Sequence, residues 1–274
     1  MYKNLIAKAV SFINHINLLL KRFQFRFMHV ALVYFLILLS SYLIGSIPFS
    51  WIVVKLKLGK DIRTIGSGNV GGRNVYRATE SKFWAFFAGI LDVCRSIAAV
   101  SIPYLLTKNL YFVNNDTMVE IFIWPEFGIY TCFALVFAGI GAIFGHNWPV
   151  YLLPGHGGRG ITVVIASTLV ANPILLAFWA ILWPICIIFV GYSSINYIVV
   201  TLLVGVIALF LPPVMLMGWA EYNLGLAILF FAIAIVMISR QRDNFRKIKA
   251  GEAKRMRILK AIRGKSKLGD EMLK

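Results

Sequence analysis

Residues 30–54 read VALVYFLILLSSYLIGSIPFSWIVV, a run that contains no charged side chain. A helix needs roughly 20 apolar residues to cross the hydrocarbon core of a membrane. Further apolar runs follow at 83–106, 127–146, 161–172, 173–191, 196–217 and 222–239. The fourth run is short, and Asn172-Pro173 predicts a turn or kink between it and the fifth. Because backbone groups in lipid must bond within their own segment, the sequence predicts an all-α, polytopic integral membrane protein with about seven transmembrane helices.

The composition of the 274-residue chain excludes soluble protein classes, since hydrophobic residues make up 59% of it and charged residues only 14%. Mean hydropathy is +0.79. The cysteines lie inside predicted spans without metal-ligand spacing, which favours packing roles. Neither an internal repeat nor a low-complexity linker divides the sequence. We therefore expect one membrane domain at 29–250, preceded by an extension at 1–28 and followed by a basic tail at 251–274.

The N-terminal extension carries its own pattern of apolar and charged side chains. One helical face collects the apolar residues Leu5, Ile6, Ala9, Ile13, Ile16, Leu20 and Phe23. Lysine and arginine side chains lie largely on the remaining surface. This pattern favours an amphipathic helix at the membrane interface over an eighth span. A full span here stays an alternative, and it would move the N-terminus to the other side of the membrane.

Loop charges predict the orientation of the spans. Segment 55–82 carries seven Lys/Arg against two acids, whereas segment 107–126 carries one lysine against three acids. Segment 240–274 carries thirteen Lys/Arg against four acids. Because cytoplasmic loops are enriched in Lys and Arg, we expect 55–82, 147–160 and the tail in the cytoplasm. Seven spans then place the N-terminus outside.

The segment Gly66–Arg77, GSGNVGGRNVYR, is a polar loop between two long apolar runs. Its glycines allow backbone N–H groups to approach an anion, and its arginines can bind phosphate with charge-assisted hydrogen bonds. The segment therefore indicates a phosphate site at the membrane surface. A solvated glycine-rich turn is the alternative.

A second polar loop combines Gly145–Pro149 with Gly155–Gly160 and leads directly into the fourth apolar run. A glycine-rich turn at a helix N-terminus favours phosphate, although a flexible loop stays possible. The segment Arg240–Lys247 is basic where the last span ends, which is also typical of a stop-transfer flank. Asp92 and Arg95 are spaced as an ion pair inside the second span, and we expect a structural role for them.

The formal net charge of +17 lies mainly on the segments expected in the cytoplasm. Attraction to anionic headgroups explains most of it, and acidic substrates could use the same field. The tail contains no recognisable nucleic-acid-binding module. We therefore expect membrane lipids, and no nucleic acid, as partners.

Taken together, these blocks resemble the PlsY-type acyl-phosphate:glycerol-3-phosphate acyltransferases of bacterial membranes. The similarity covers residues about 40–250 and is most specific in Gly66–Arg77. It implies a seven-helix enzyme of the bacterial inner membrane with a cytoplasmic active face. The implied reaction moves an acyl chain from acyl phosphate to the 1-hydroxyl of glycerol 3-phosphate and gives lysophosphatidic acid. It implies neither a metal, a cofactor nor a covalent acyl-enzyme, and we expect a monomer or weak homodimer.

The resemblance also suggests site residues, position by position. The candidates for catalysis are Ser67, Arg77, Gln241 and Asn244. The candidates for substrate or phosphate binding are Gly66, Gly68, Asn69, Gly71, Asn74, His146, Asn147, Gly157, Gly158, Arg159, Gly160 and Ser193.

Several positions depart from the family pattern. Arg73 replaces a threonine, and His156 and Arg159 replace two lysines of the glycine-rich loop. Gln241 replaces a histidine, and glutamine cannot exchange a proton near neutral pH. A catalytically altered or inactive paralogue that binds a lipid or phosphate ester is therefore the alternative function. A small-anion transporter fits less well, because the polar loops lie at one surface rather than across the midplane.

Overall fold

The computed structural model describes residues 28, 30–110, 127–212, 223–253, 255 and 256. Most of the N-terminal extension and of the distal tail lies outside these residues. Ten helices are described: α1 (residues 30–45), α2 (Phe49–Leu58), α3 (Gly72–Thr79), α4 (Lys82–Leu110), α5 (Phe127–Asn147), α6 (Ile161–Ala171), α7 (Pro173–Val190), α8 (Ser193–Phe210), α9 (Asn223–Arg240) and α10 (Arg242–Lys249). Short 3₁₀ turns lie at Ile62–Thr64 and Val150–Leu152. Neither these helices nor the segments described between them contain a β-strand.

Six helical stretches among the described residues are long and apolar enough to cross a membrane, and α6 is a shorter apolar helix. The predicted all-α polytopic membrane fold is therefore confirmed. Helix α6 has 11 residues and spans roughly 16 Å, about half of a hydrocarbon core. It ends at the predicted break, where the Asn172 side chain accepts a hydrogen bond from the Ile174 N–H at 2.8 Å and caps α7.

The apolar core lies where α9 packs against α8 and α5, and where α4 packs against α5 and α6. Leu135 and Ile143 of α5 and Phe230 and Ile233 of α9 are fully buried. Many large apolar side chains point outward instead, among them Phe86, Phe189, Phe210 and Ile235. Because lipid is the solvent of these outer faces, their exposure agrees with a membrane-embedded bundle.

Helices α1 and α5 approach closely through glycines. A Cβ atom on Gly141 would collide with the Leu38 carbonyl, and one on Gly145 with the Tyr42 carbonyl. A Cβ on Gly45 would lie 2.7 Å from the Ala142 carbonyl oxygen. Small residues four positions apart commonly allow such backbone contact in membranes. The contact brings the C-terminal ends of α1 and α5 together.

The helical structure is interrupted between α1 and α2, where Pro48 directly precedes the first residue of α2. A small second core of buried residues lies between α2, α3 and α4. It packs the loop between α2 and α3 against α4. It comprises Val53, Val54, Ile62, Val70, Val75, Ala88 and Leu152. The polar segment predicted as a phosphate site therefore lies on an apolar base.

Candidate functional site

The loops that follow α2, α5 and α9 meet at one end of the helix bundle, which we call the polar end. The α2–α3 loop (residues 59–71) reaches the glycine loop (residues 155–160), because the Val70 N–H donates to the Gly157 carbonyl at 3.4 Å. Arg240, the last residue of α9, donates from Nη2 to the same carbonyl at 3.3 Å. The Gly157 carbonyl thus connects all three segments.

Asn74 organises the α2–α3 loop from inside. Its Nδ2 donates to the carbonyls of Ile62 and Ile65, both at 2.9 Å. Its Oδ1 accepts from the Ser67 N–H at 3.2 Å. The loop can turn tightly around this side chain because Gly66 and Gly68 adopt φ angles of +56° and +67°, which glycine tolerates without strain. Asn74 is buried, so its amide holds the loop that presents Ser67.

A second clamp joins this loop to the segment after α5. Arg63 pairs with Asp61, with Nη2 and Oδ2 at 2.7 Å, and its Nη1 donates to the Leu152 carbonyl at 2.9 Å. Hydrogen bonds from Arg63 lower the pKa of the Asp61 carboxyl to about 2. The pair therefore stays ionised near neutral pH and connects the two loops.

The glycine loop is bonded to the end of α5. The Gly158 N–H donates to the His146 carbonyl and the Gly157 N–H to the Asn147 carbonyl, both at 2.9 Å. A Cβ atom on Gly157 would collide with the His146 carbonyl, and one on Gly158 with the His146 ring. Packing therefore requires glycine at both positions. The N–H groups of both glycines donate to carbonyls at the end of α5 and are not free for a ligand. Gly160, at φ +87°, turns the chain into α6.

A cavity of about 700 Å³ opens between these loops and α10. Five predicted site residues line it, namely Ser67, Gly68, Asn69, Arg159 and Asn244. The other lining residues are Asp61, Arg63, Thr64, Pro154, Gly155, His156, Arg240, Asp243, Arg246 and Lys247. Arginine and lysine outnumber acids in this lining by five to two, which favours an anionic ligand.

Arg159 is one of the half-buried cations in this cavity. Its Nε makes no hydrogen bond with any residue in the described ranges. The pKa of its guanidinium is lowered to about 10, chiefly by burial and then by the charges of Arg240, Arg73 and Arg77, while Asp243 acts in the opposite direction. An anion would relieve both effects, because it supplies hydrogen bonds and compensates the clustered charge.

Neutral polar groups lie beside these cations. The Asn69 Oδ1 is buried and makes no hydrogen bond with the described residues. Asn244 donates from Nδ2 to Oε1 of Gln241, which is itself buried. This bond orients the Asn244 amide, so that its Oδ1 remains as an acceptor in a site otherwise rich in donors.

Other predicted site residues lie next to the cavity rather than in its lining. Gly66 and Gly71 belong to the α2–α3 loop, and Arg77 packs against Gly66 while its charge acts on Arg159. A smaller cavity of about 10 Å³ lies deeper, and His146, Gly157 and Gly158 are among its lining residues.

Two further predicted binding residues line neither cavity. The Asn147 side chain is buried and its amide makes no hydrogen bond within the described part of the chain. Ser193, at the start of α8, donates from Oγ to the Met256 Sδ at 2.7 Å, and the Met256 N–H donates to the Gly191 carbonyl. The structure therefore does not bring Ser193 into the cavity lining.

Sequence reasoning did not include Arg240, Arg63 or Asp243 among the site residues. Arg240 resembles any cation that ends a transmembrane helix in sequence, and its bond to Gly157 and its position in the cavity lining place it in the site. Asp61 and Arg63 are two residues apart in a loop, a spacing without a specific signal. The cavity can hold anionic groups between arginines, next to the Ser67 hydroxyl and two side-chain amides.

A family model described as "Glycerol-3-phosphate acyltransferase" matches residues 35–251. Relatives include the glycerol-3-phosphate acyltransferase of Pelagibacter ubique (strain HTCC1062), which is 29% identical over 225 residues, or 82% of this chain and 98% of that protein. Glycerol-3-phosphate acyltransferase 3 of Dehalococcoides mccartyi (strain ATCC BAA-2266 / KCTC 15142 / 195) is 31% identical over 223 residues, or 81% of this chain and 94% of that protein.

The fold is also similar to crystal structures of PlsY (YgiH), an integral membrane glycerol 3-phosphate acyltransferase. Its glycerol 3-phosphate form matches with a TM-score of 0.60 and 26% identity, over 84% of this chain and 98% of that chain. Its lysophosphatidic acid form matches with a TM-score of 0.57 and 24% identity, over 81% and 94% respectively, and supports the fold alone.

Proposed function

The chain belongs to the glycerol-3-phosphate acyltransferase family, and we propose that it transfers an acyl chain from acyl phosphate to the 1-hydroxyl of glycerol 3-phosphate. It is an integral membrane acyltransferase of lipid biosynthesis, and the proposed products are lysophosphatidic acid and inorganic phosphate. The observation that carries the proposal is the half-buried, under-bonded Arg159 within a cluster of arginine charges. Both proposed substrates carry a phosphate group that such a cluster can bind.

In the proposed reaction the 1-hydroxyl oxygen attacks the acyl carbonyl carbon, and the bond from that carbon to the phosphate oxygen breaks. The hydroxyl proton passes to a phosphate oxygen, for which the acceptor's own phosphate is a suitable base. Since phosphate is a good leaving group, the protein's main task is to position two anions and stabilise developing charge.

The side chains divide this task. We assign the phosphate groups to Arg159, Arg240 and Arg77, whose guanidinium groups can bind two oxygens at once. The Ser67 hydroxyl can donate to the reacting carbonyl region. The Asn244 Oδ1, oriented by Gln241, is suited to accept the hydrogen bond of the acceptor's hydroxyl.

Gly157 and Gly158 then contribute by holding the glycine loop against α5, because their N–H groups donate to carbonyls of that helix. The first N–H groups of α6, which begins at Ile161, remain as donors to an anion, and the dipole of the helix adds positive potential there.

We assign the polar end to the cytoplasmic side of a bacterial inner membrane. The support is the excess of Lys and Arg in 55–82 and 240–274 over 107–126. The acyl chain would lie among the apolar helices, which places its phosphate at the same interface as glycerol 3-phosphate. The proposed enzyme is a monomer or weak homodimer.

The alternative, a paralogue that binds a phosphate ester without transferring an acyl chain, rests on Gln241. Glutamine cannot exchange a proton near neutral pH, but it can orient Asn244. We therefore expect turnover with a shallow pH dependence across about pH 6–8, and a Gln241→His variant whose rate titrates with the imidazole. A wild-type protein that shows no transfer, and that Gln241→His does not rescue, would favour the paralogue.

The direct test is turnover by purified protein in liposomes. Acyl phosphate and glycerol 3-phosphate should together give lysophosphatidic acid and phosphate, while an acyl thioester as donor should give none. The Ser67→Ala variant should be slower, and Lys249→Ala, at an exposed position outside the cavity lining, should match the wild type. Phosphate release without acylated product would contradict the transferase, and uptake of glycerol 3-phosphate into sealed vesicles would favour transport.

A further inference from the structure

A second polar cluster lies deeper than the cavity, at the break between α1 and α2. Arg95 of α4 is its centre and is 5% exposed, with His146 of α5 beside it at 7%. Asp92 completes an ion pair with Arg95 at 3.9 Å, and its Oδ2 accepts from the Ser50 hydroxyl at 2.6 Å. The cluster therefore connects α2, α4 and α5 inside the bundle.

The shortest contacts of Arg95 are not with the acid. Its Nη1 donates to the carbonyls of Gly45 at 2.6 Å and Ile47 at 3.1 Å, which the helix break leaves without helical partners. Its Nη2 donates to the Ser96 Oγ at 3.1 Å and lies 2.6 Å from the His146 Nδ1. Arg95 thus stabilises the end of α1 and holds the imidazole in one orientation.

The chemistry of this contact determines the tautomer of His146. A guanidinium has donors and no acceptor, so the Nδ1 must accept and the imidazole proton must lie on Nε2. The ring edge with Nε2 packs against the Cα of Gly158, where a Cβ atom would collide with it. A rotation of this ring would therefore displace the glycine loop.

The glycine loop transmits that position to the cavity. The carbonyls of His146 and Asn147 accept from the N–H groups of Gly158 and Gly157, and the Gly157 carbonyl accepts from Arg240. Arg159 follows directly in the chain. A displacement of the loop therefore moves both half-buried arginines relative to each other.

We propose that Arg95 and His146 are positioning residues that set the glycine loop and, through it, the spacing of Arg159 and Arg240 around a bound phosphate. The inference rests on the proposed function for the identity of the phosphate ester, but phosphate affinity alone can test it. The Arg95–His146 pair itself does not line the large cavity.

The test compares His146→Leu with His146→Asn. Asparagine offers an acceptor oxygen close to the place of Nδ1, whereas leucine offers none. Affinity for inorganic phosphate and for glycerol 3-phosphate is measured by calorimetry on detergent-solubilised protein, and KM and kcat by turnover. We expect His146→Leu to weaken phosphate affinity and raise KM by about 10-fold or more, the effect of one lost hydrogen bond to a charged group, with a smaller change in kcat. His146→Asn should recover most of this loss.

A destabilised control separates positioning from general loosening. Thr201→Val removes a buried hydroxyl that donates to the Tyr197 carbonyl of its own helix, α8. It should lower thermal stability without changing phosphate affinity or KM. Arg95→Lys keeps the charge but loses the forked geometry, so it should weaken phosphate affinity as His146→Leu does.

The outcomes are distinguishable from failure of the transferase assignment. Phosphate affinity that depends on position 146 in a protein without transfer activity would support the positioning pair and contradict the enzyme. Equal affinity in wild type and His146→Leu, with transfer intact, would overturn the positioning pair alone. Absence of phosphate binding by the wild type, or equal losses in His146→Asn and His146→Leu, would also overturn it.

Discussion

Two arginines in this protein are surrounded very differently. Arg95, at the α1–α2 break, directs its terminal nitrogens to two carbonyls, a hydroxyl and an imidazole at 2.6–3.1 Å. Arg159, in the cavity at the polar end, leaves its Nε without a hydrogen bond to any described residue and lies among other cations. Among the described residues the Nε of Arg95 also lacks a hydrogen bond, so the two arginines differ in their terminal nitrogens. Those of Arg95 bond groups of the fold, whereas those of Arg159 are left for a ligand.

This difference separates a scaffold from a binding site on physical grounds. A charge in a membrane protein is costly unless it is paired, so an arginine whose terminal nitrogens bond groups of the fold is part of the structure. Clustered arginines with few acids nearby destabilise each other until an anion binds. The state of the donors, rather than the residue type, therefore indicates which polar cluster takes the substrate.

The largest expected effect is on folding, at Arg95. Arg95→Ala leaves the buried Asp92 without its cation and removes the donor of the Gly45 carbonyl, so it should lower the free energy of unfolding by about 3–5 kcal/mol. Denaturant unfolding in detergent, followed by helix content, measures the change. A variant as stable as the wild type would remove the distinction between the two arginines.

The next effect is on catalysis, at Arg159. Arg159→Ala should lower kcat/KM about 10²–10³-fold, equivalent to about 3–4 kcal/mol, because a preorganised cation facing developing charge is lost. Its stability should stay equal to or exceed that of the wild type, since repulsion from Arg240 and Arg73 is removed. Lys249→Ala is the matched control. Loss of stability together with activity would instead make Arg159 a second scaffold residue.

Gly158 tests whether the glycine loop belongs to the scaffold or to the ligand. Gly158→Ala forces a methyl group into the His146 ring, so it should destabilise the protein by about 1–3 kcal/mol, as overpacking does. Thermal unfolding measures this. The control is Gly89→Ala, where nothing lies within 4 Å of the added Cβ atom and φ, as at Gly158, is not positive, so it shows the effect of a methyl group without a collision. Unchanged stability with a raised KM would assign Gly158 to phosphate approach instead.

The smallest effect concerns Asp61, which is partly exposed in its pair with Arg63. Its folded-state pKa of about 2 lies below the ordinary value of about 3.9. Ionised Asp61 therefore stabilises the fold above about pH 4, and this contribution is lost as pH falls toward 2. Near neutral pH, Asp61→Asn should cost less than about 1 kcal/mol. Unfolding curves of variant and wild type should converge on acidification; a constant gap would exclude the ion pair as the cause.

Much of the fold could be predicted because the backbone groups of each span in lipid must form hydrogen bonds within that span, which requires a helix. The apolar runs became helices, and Asn172-Pro173 separates α6 from α7 as expected. The segment Gly66–Arg77 also lies beside the arginine cluster, although only residues 66–71 are loop and residues 72–77 belong to α3. The roles of single residues in that segment were less predictable. Asn74 was expected to bind substrate, but its side-chain amide forms hydrogen bonds with the backbone of the loop itself.

Tertiary contacts account for the remainder. Ser193 bonds Met256, sixty-three positions away in sequence, and Arg240 joins the site through the Gly157 carbonyl. Neither partner can be inferred from a motif, because a hydrogen bond depends on the separation of two atoms brought together by different helices.

By itself, the sequence determined that this chain is a helical membrane protein with basic, glycine-rich loops, because hydropathy and charge act residue by residue. Only the tertiary structure decided which polar groups are already bonded and which remain available. Gly157 and Gly158 were expected to present amides to phosphate, yet those amides bond the end of α5. The sequence assigned Arg95 to an ion pair and Arg159 to a phosphate loop. Only the structure shows that Arg95 donates to several groups of the fold, whereas the described residues offer no acceptor to the Nε of Arg159.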